Sequence, residues 1–383
     1  MKIKDLFNVH KALTTSREFF NNDNGIMCVH YGDIYKNYSF KTINSSNIIN
    51  KFSLPVDQEK LICTDSLIMP DVTETITDFG HITYIRYNDY PYINGTHTFA
   101  LTAKGNDKNK LKYIYYYLQS PKNRKLIQSY LLGSTVFQLS KKDLENFELI
   151  DLHNEDEQRH IVDIIGSIDD KIENNNKIIT KSYEVLDLKM KKFMIGRPKK
   201  IISNFKEIEI IGSGIDKFDR EKIYLDTSCV AGNSIIDTNY NVSYNERPSR
   251  ANMQPIINSV WFAKLKNSPK HIIVKDYSKK ILNNYVFSTG FMGIKISKEK
   301  FNLLALYFIS DIFDKEKDSL SIGATMQSIN NNTFKNMYIP EFVENDYKEF
   351  NYFSKDILKT IYLLELENSK LQELKSNYLA KFF

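Results

Sequence analysis

The sequence lacks the patterns that disulfide-rich, zinc-binding and membrane proteins need. It has only three cysteines, Cys28, Cys63 and Cys229, and no two of them have metal-ligand spacing, so we expect neither a disulfide framework nor a zinc site. It also has no apolar run long enough to cross a membrane and no secretory leader pattern. We therefore expect a cytoplasmic protein with no membrane partner.

Catalytic motifs are missing as well. There is no phosphate-binding loop, zincin motif or nucleophile elbow, and residues 212–214 are too short a glycine-rich run for a nucleotide. Residues 88–92 lack the double proline with which amino-methyltransferases hold their target amine. Asp71 and Glu74 resemble a nuclease carboxylate pair but lack a lysine partner. The sequence thus predicts no catalytic, cofactor-binding or metal-binding residue, and a binding protein rather than an enzyme.

The bulk composition permits two or three folded domains. The chain has 383 residues, of which 42% are hydrophobic, enough for proper cores. The formal net charge of +5 is compatible with nucleic acid but does not require it.

The two halves of the chain carry matching short segments in the same order. No single match is informative, but their common order indicates two duplicated structural units. A pseudo-two-fold molecule suits a target that itself has two halves. The matching pairs are 4–6 with 206–208, 66–69 with 259–262, 92–96 with 285–289, 116–118 with 307–309, and 133–135 with 323–325.

Each half combines a mixed α/β region with a long helix. Runs at 26–29 and 67–69 are typical of strands, and 112–130 is typical of a helix. The predicted fold class is α/β (α+β), with two mixed domains in a pseudo-two-fold arrangement, separated by two long helices packed as an antiparallel coiled coil. The predicted segments are 1–152 (first domain), 153–196 (first long helix), 197–342 (second domain) and 343–383 (second long helix).

Apolar residues recur at seven-residue spacing in both predicted helices, which is typical of a coiled coil. The alternative is two independent helices that each cap their own domain. Asn175, Ser182, Glu367 and Asn368 interrupt the pattern, and they could face either the mate helix or a partner protein. The predicted seam consists of Ile161, Ile165, Ile168, Ile172, Ile179 and Leu186 in the first helix and Phe350, Ile357, Leu364, Leu371 and Tyr378 in the second.

Several loops carry side chains that suit base edges and phosphates. Arginine can bind guanine and asparagine can bind adenine with paired hydrogen bonds, whereas small hydroxyls suit the backbone. Taken singly each loop could be a solvated turn, but similar loops occur in both halves. The candidate DNA contacts are Thr14, Thr15, Ser16, Arg17, Thr96, His97, Ser134, Thr135, Arg247, Ser249, Arg250, Asn252, Ser288, Thr289, Thr325 and Gln327.

These segments resemble the DNA-specificity subunit of Type I restriction–modification systems. The resemblance rests on residues 133–136 with 144–150 behind them, on 156–161, which match a Glu-Gln-Lys/Arg-x-Ile signature, and on 168–173. It covers nearly the whole chain. The second copy departs from it, because residues 346–350 lack the Glu-Gln pair.

The resemblance implies that each mixed domain is a target recognition domain for one half of a bipartite double-stranded DNA site, and that the helices fix the gap. Its implied partners are two modification subunits, which bind S-adenosylmethionine and methylate adenine N6; restriction subunits can join. No cofactor is expected in this chain.

Two other classes of function stay open. The chain could be the specificity chain of a related fused methyltransferase–nuclease system. It could also be a coiled-coil module that binds protein and no DNA. Salt-sensitive DNA affinity of the assembled complex would disfavour the latter.

Overall fold

The computed structural model describes residues 1–21, 24–236, 240–323 and 326–383. The chain divides into two compact units: unit 1 comprises residues 1–172 and 369–383, and unit 2 comprises residues 173–368. Each unit therefore combines a mixed α/β part with a piece of both long helices. The four segments predicted from the sequence instead assign each long helix to a segment of its own.

The elements of unit 1 precede the first long helix. Its strands are β1 Phe7–Lys11, β2 Phe20–Asn21, β3 Ile26–Val29, β4 Thr42–Asn44, β5 Lys51–Phe52, β6 Ser66–Pro70, β7 Val72–Thr73, β8 Thr83–Arg86, β9 Tyr92–Asn94, β10 Thr98–Ala103 and β11 Phe137–Gln138. Its helices are α1 Ile3–Leu6, α2 Tyr31–Asp33 with a π-helical turn Ile34–Tyr38, α3 Lys108–Gln119, α4 Pro121–Gln128 and α5 Lys141–Asn146. The long helix α6 spans Glu155–Met194.

The elements of unit 2 follow in a similar order. Its strands are β12 Lys199–Ile201, β13 Ile208–Ile210, β14 Lys222–Leu225, β15 Val230–Ala231, β16 Ser234–Ile235, β17 Tyr240–Val242, β18 Ala251–Met253, β19 Ser259–Ala263, β20 His271–Val274, β21 Tyr285–Ser288, β22 Phe291–Ile296 and β23 Tyr338–Pro340. Its helices are α7 Lys279–Asn284, α8 Phe301–Phe308, α9 Asp311–Ser319, α10 Asn331–Lys335 and the second long helix, α11 Glu344–Phe382.

The central sheets of the two units have the same topology. In unit 1 the order is β1-β10-β6-β8-β4, and in unit 2 it is β13-β22-β19-β20. The first four strands pair antiparallel in both. Ser66 lies opposite Ile85 and Ser259 lies opposite Val274, so the matched segments of the sequence occupy equivalent strands.

A second sheet in each unit repeats one unusual feature. β3 pairs parallel with β9 in unit 1, and β14 pairs parallel with β21 in unit 2. Met27 lies beside Tyr92 and Ile223 beside Tyr285, which makes Tyr92 and Tyr285 equivalent. The mixed α/β fold class predicted from the sequence is confirmed; the pseudo-two-fold arrangement of the units stays a prediction.

The cores of the two units are filled differently at one equivalent position. Ile68 lies opposite Ala100 on neighbouring strands, whereas Trp261 lies opposite Gly293. A Cβ added to Gly293 would lie 2.4 Å from the indole of Trp261. The larger aromatic residue therefore needs glycine opposite it, because protein cores are close-packed.

The single helix predicted over 112–130 is wrong, because it consists of two helices, α3 and α4. The break lies at Ser120 and Pro121. The Ser120 hydroxyl accepts a hydrogen bond from the Asn123 N–H, and proline occupies the first turn of α4, where it is tolerated because that N–H needs no partner. The Ser310 hydroxyl caps α9 in the same way in unit 2.

The long helices begin and end at recognisable signals. Asn154 and Glu157 form a reciprocal cap, in which each side chain accepts the other's backbone N–H at 3.0 and 3.2 Å. The chain leaves α6 through Gly196 at φ +69°, a left-handed conformation that glycine adopts at low cost.

Within unit 1, the first part of α6 packs on the last part of α11. Ile161, Ile165 and Ile168 are buried in α6, and Leu379 is buried in α11. Lys375 donates to both carboxylate oxygens of Asp169 at 2.8 and 3.0 Å. A polar layer thus lies between two apolar ones in this unit.

Within unit 2, amide side chains form the corresponding layer. Asn175, only 1% exposed, donates through Nδ2 to Glu367 Oε2 at 2.8 Å and to Asn368 Oδ1 at 2.9 Å. Asn368 donates in turn to Asn176 Oδ1 at 2.9 Å. Asn175, Glu367 and Asn368 therefore face the mate helix rather than a partner protein. Farther along, Lys189 pairs with Glu349, so the helices run antiparallel in this unit.

The predicted seam fits α6 more closely than α11. In α6, Ile161, Ile165, Ile168, Ile179 and Leu186 are buried and Ile172 is half-buried. In α11, Phe350 is buried, but Ile357, Leu364, Leu371 and Tyr378 are only half-buried. The other buried apolar positions there are Tyr347, Leu358, Ile361 and Leu379. A helix of 3.6 residues per turn drifts from a strict seven-residue repeat, which moves the buried stripe along α11.

Candidate nucleic-acid interface

The turn between β9 and β10 gathers the candidate residues of unit 1. The Thr15 N–H donates to Thr96 Oγ1 at 2.7 Å, and the Thr96 N–H donates to Thr15 Oγ1 at 3.1 Å. A Cβ on the intervening Gly95 would lie 2.8 Å from Thr15 Oγ1. Two candidate segments far apart in sequence are thus joined side by side.

Thr15 itself differs from its predicted role as a DNA contact. Its side chain is buried, 5% exposed, and its hydroxyl is occupied by Thr96. It holds the loop, whereas its neighbours Thr14, Ser16 and Arg17 are exposed and reach solvent.

His97 is the most prominent side chain of this turn. It has a left-handed backbone, φ +61°, and its side chain is 47% exposed. Its Nδ1 lies 3.3 Å from Asp71 Oδ1, an ion pair when the imidazole is protonated, and its ring meets Tyr31 edge-on at 5.6 Å. The Asp71 N–H also donates to the His97 carbonyl at 3.1 Å. Burial raises the pKa of the Asp71 carboxyl, and His97 opposes that rise.

His30 and Arg17 continue the same patch. A Cβ on Gly32 would lie 3.7 Å from His30 Nδ1 and 3.8 Å from an Arg17 guanidinium nitrogen, so both groups border one glycine. Burial lowers the pKa of His30; Asp33 opposes this, and Arg17 and His97 add to it. The patch therefore disfavours a further positive charge on His30.

The Gly133 hairpin lies at the edge of this patch. Leu132 and Gln138 exchange both backbone hydrogen bonds, and the Leu139 N–H donates to the Asp71 carbonyl at 2.8 Å. Gly133 has φ +131°, and an added Cβ would lie 2.1 Å from the Val136 carbonyl oxygen. Glycine is therefore required here, and Ser134 and Thr135 stand exposed at the tip.

Unit 2 builds its patch at the equivalent strand ends, from a different part of the chain. The Thr289 N–H donates to the Arg250 carbonyl at 2.8 Å, and Ala251 lies opposite Ser288. The Arg250 guanidinium comes within 2.9 Å of where a Gly290 Cβ would lie. Arg250 and Ser249 are exposed, and Thr289 is half-buried.

Three other candidates in unit 2 hold the loop. Ser288 is fully buried. The half-buried Arg247 donates to the carbonyls of Ala251 (3.1 Å) and Tyr244 and stacks 4.3 Å from the Tyr244 ring centroid. The Asn252 carbonyl accepts from the Gly214 N–H. These contacts differ from the predicted base contacts, because the side chain of Ser288 is buried and the Arg247 guanidinium is already paired.

The second hairpin matches the first. Ile322 and Ser328 exchange both backbone hydrogen bonds, and Gly323 has φ +139°. Gln327 is exposed, and its side chain accepts from Lys266 Nζ at 2.8 Å. Thr325 lies outside the described residues.

The candidate DNA contacts predicted from the sequence include His97 and Arg250 but omit Lys264 and Asp226, and Asp71 is considered there only as a nuclease-like carboxylate. Lys264 occupies the position of Asp71, since its N–H donates to the Gly290 carbonyl as the Asp71 N–H does to that of His97. Asp226 occupies the position of His30, directly after the parallel strand. The signal available was their place immediately after a buried strand, since strand ends commonly carry binding residues.

The charges in unit 2 act on one another. Burial lowers the pKa of Lys264, and Arg250 lowers it further. Burial opposes ionisation of Asp226, but the Ser228 N–H, the Tyr224 hydroxyl and Arg250 outweigh it and lower its pKa. This arrangement presents hydrogen-bond donors to a polyanion and a carboxylate acceptor to a base amino group.

Over residues 1–21, 24–236, 240–323 and 326–383, no group of three or more His, Cys, Asp or Glu side chains could hold a metal ion. Within the same ranges, none of the helices has the length and apolarity that a membrane span requires.

The fold resembles that of a solved Type I restriction–modification S subunit. The chain is similar over 100% of its length to the crystal structure of a Type I restriction–modification S subunit from M. genitalium, with 15% identity, 95% of that chain covered and a TM-score of 0.54. It also aligns with a chain from a study of complex assembly and conformational transition of the type I R-M system (11% identity, 100% and 96% covered, TM-score 0.36). A third alignment is with the HsdS subunit from Thermoanaerobacter tengcongensis (13% identity, 92% of both chains, TM-score 0.31).

The first half of the chain also matches a family model. Residues 1–184 match the model of the Type I restriction modification DNA specificity domain. Over these residues, slightly less than half of the 383-residue chain, the sequence is similar to that family, as the resemblance at 133–136 and 156–161 predicts. No curated protein matches the chain.

Proposed function

We propose that the chain is the specificity subunit of a Type I restriction–modification complex, in which each unit reads one half of a bipartite DNA site. The chain itself is non-catalytic. Two modification subunits, which bind S-adenosylmethionine, methylate adenine N6 at the sites it selects, and restriction subunits complete the complex in systems that cleave DNA.

One observation carries this proposal. Two units of the same strand order each have an exposed polar patch at the same strand ends, but the side chains differ. The patch of unit 1 centres on His97 and Asp71, and that of unit 2 centres on Arg250, Lys264 and Asp226. A common scaffold with divergent surfaces is what two different half-sites require, since base edges are distinguished by donor and acceptor pattern.

The polar side chains divide into two groups by access to solvent. Arg250, Ser249, Arg17 and His97 are exposed and can reach base edges or phosphates. Thr15, Ser288 and Arg247 are paired inside the loops and fix their shape. Specificity in this proposal therefore depends on the exposed group, and the buried group sets its geometry.

A domain exchange with a sequencing readout tests the proposal. Residues 1–152 are replaced by the corresponding segment of another specificity subunit, and the hybrid is expressed with its methyltransferase subunit in a host without adenine methylation at the site. Single-molecule sequencing then reads the methylated adenines. We expect a two-part motif with one half changed, the other half kept and the gap unchanged.

The matched control replaces residues 197–342 instead, and it should change the other half only. An unchanged motif after either exchange would contradict the proposal, as would methylation that persists when this gene is deleted. If the assembled complex shows no salt-sensitive affinity for DNA, the protein-binding alternative is favoured.

A further inference from the structure

A lysine-lined cleft in unit 2 lies apart from the candidate DNA interface. It has a volume of about 520 Å³ and is open to solvent. Lys275 and Lys279 border it on one side, and Lys355 and Lys359 of α11 border it on the other. Leu358 also lines the cleft, although it is only 5% exposed.

The cleft has a built polar wall. Asn302, only 4% exposed, donates through Nδ2 to Ser354 Oγ at 2.9 Å and accepts from Lys275 Nζ at 3.3 Å. Lys275 Nζ also lies 4.5 Å from the centroid of the Phe301 ring. Burial lowers the pKa of this ammonium group, with Asp276 opposing and Lys298 adding to the effect. Lys275 is thus held in place at the wall rather than free in solvent.

The positive charges of the cleft are not neutralised within the described part of the chain. None of the four ammonium groups there lies within 4.0 Å of a carboxylate oxygen. Asp276 and Asp356 also line the cleft, which leaves an excess of two positive charges, four lysines against two aspartates. Like charges held close together raise the electrostatic energy unless a bound anion offsets their repulsion.

Unit 1 shows that the fold does not require this excess. Arg86 is the counterpart of Lys275, because each follows the residue that lies opposite the equivalent serine, Ser66 or Ser259. Arg86 lies 4.0 Å from Asp170 of the long helix packed beside it. A lysine, Lys112, also lies over Gly166 of that helix. The same place in unit 1 therefore carries a counter-charge.

The cleft and the candidate DNA interface lie at opposite ends of one strand pair. β19 and β20 run antiparallel, with Ser259 opposite Val274 at the cleft end and Phe262 opposite His271 at the other. Lys264 and the Arg250 loop follow the far end of β19. A duplex bound there leaves the cleft uncovered, and a concave site of this size admits side chains rather than a duplex.

We propose that this cleft binds a carboxylate-bearing segment of a protein partner. An excess of lysines complements a peptide rich in acidic side chains, and opposite charges at an interface guide association. The cleft lies on α11, so its occupant contacts the long helix as well as the globular part of unit 2. That the partner is the methyltransferase subunit rests on the proposed function. That the cleft binds carboxylates does not depend on the proposed function.

A charge reversal with a matched control tests the proposal on the full chain. The variant Lys355→Glu/Lys359→Glu changes two exposed lysines of the cleft, and the control Lys348→Glu/Lys370→Glu changes two exposed lysines of the same helix outside it. The probe is a fluorescent eight-residue peptide with four glutamates, and its glutamine counterpart serves as the uncharged probe. Circular dichroism verifies that both variants remain folded.

We expect the acidic peptide to bind the wild-type chain at low salt and the cleft variant at least about tenfold more weakly, which corresponds to about 1.4 kcal/mol. The control variant should stay within about twofold, and the glutamine peptide should bind at least about tenfold more weakly than the acidic one. Equal binding of both peptides, or equal binding by cleft and control variants, overturns the proposal. Tripolyphosphate that binds the cleft while the acidic peptide does not would overturn the choice of carboxylate.

Assembly with the methyltransferase subunit gives a second readout. We expect the cleft variant to lose this partner at lower salt than the control does. Unchanged assembly would overturn the assignment of that subunit as the occupant. Methylation that does not depend on this gene would contradict the proposed function. The peptide experiment contains no DNA, so its result tests the cleft separately.

Discussion

Units 1 and 2 share the order of their first four central strands but carry different charges at the strand ends. Where unit 1 has Asp71 after the third strand in the spatial order of the central sheet, unit 2 has Lys264, and where unit 1 has His30 after the parallel strand, unit 2 has Asp226. The backbone hydrogen bonds around these positions are the same. The scaffold therefore fixes where polar side chains stand, and leaves their sign free.

The helix segments show the same freedom in a buried setting. Unit 1 places the ion pair of Asp169 and Lys375 between its two helix segments, and unit 2 places the amides of Asn175 and Asn368 there. Unit 2 also buries the Glu365 carboxyl, whose hydrogen bond comes from the neutral Ser234 hydroxyl at 3.2 Å. The two units thus stabilise equivalent packing by different electrostatics, and the differences can be measured.

The largest effect is expected from breaking the ion pair of unit 1. Lys375→Met leaves Asp169, which is 21% exposed, with Tyr116 as its remaining donor at 3.0 Å. We expect a loss of about 2–3 kcal/mol in the free energy of unfolding, less than the 3–5 kcal/mol of a fully buried pair because solvent reaches the carboxylate. Urea denaturation measures it. The double variant with Asp169→Asn should recover part of the loss; no recovery would mean that Lys375 acts through packing alone.

The buried carboxyl of unit 2 should make stability depend on pH. Burial raises the pKa of Glu365 from about 4.5 to about 7, opposed by the Ser234 hydroxyl. Since the folded value lies above the unfolded one, this stabilising contribution is complete below about pH 4.5 and is lost as the pH rises through about 7. Glu365→Gln removes the dependence.

The variant should therefore gain on the wild type as the pH rises, by roughly 3 kcal/mol at most. Urea denaturation on both sides of neutrality measures the difference. A difference that stays constant between the two pH values would show that Glu365 is not the titrating group.

A third comparison exchanges the core pairs. Gly293→Ala places a methyl group against the Trp261 indole, and overpacking of this kind costs about 1–3 kcal/mol. The reciprocal change in unit 1, Ala100→Gly, creates no clash and should cost about 1 kcal/mol. Adding Trp261→Ile to Gly293→Ala recreates the pair of unit 1 and should cost less than Trp261→Ile alone. Thermal or urea unfolding of the four variants measures these differences in the free energy of unfolding.

The smallest effect concerns recognition. Arg250→Ala should weaken binding at the half-site read by unit 2 by about 1–2 kcal/mol, roughly tenfold, and leave the other half-site unchanged. His97→Ala should weaken binding at the half-site read by unit 1 and leave the other half-site unchanged. Binding of the assembled complex to duplexes with one half-site scrambled measures both. A uniform loss on unrelated DNA would identify Arg250 as a phosphate contact instead.

Much of the fold could be predicted because it depends on local or repeated patterns. Seven-residue spacing located both long helices, and matched segments such as 66–69 and 259–262 located equivalent strands. The break between α3 and α4 was missed because apolar spacing continues across Ser120, although Pro121 marked it. The shift of the buried stripe in α11 could not be predicted from the sequence either, because it depends on which face of α11 packs against the rest of unit 2.

The candidate site was predictable only in part. Loops rich in hydroxyl and basic residues were found, and the fold brings Thr15 to Thr96 and Arg250 to Thr289. Which of them are buried was not predictable, because burial depends on strand pairing between distant segments. Lys264 was missed, and Asp71 was considered only as a nuclease-like carboxylate, since the equivalence of the two residues is visible only through backbone hydrogen bonds.

The segments beside the two turns differ in their connectivity. The segment beside the turn in unit 1 contains Thr15 and precedes the parallel strand β3, whereas the segment in unit 2 contains Arg250 and follows its counterpart β14. The same place on the two scaffolds is thus occupied by segments from different points of the chain order. Surface segments of this kind tolerate changes of length and sequence that the buried strands beneath them do not.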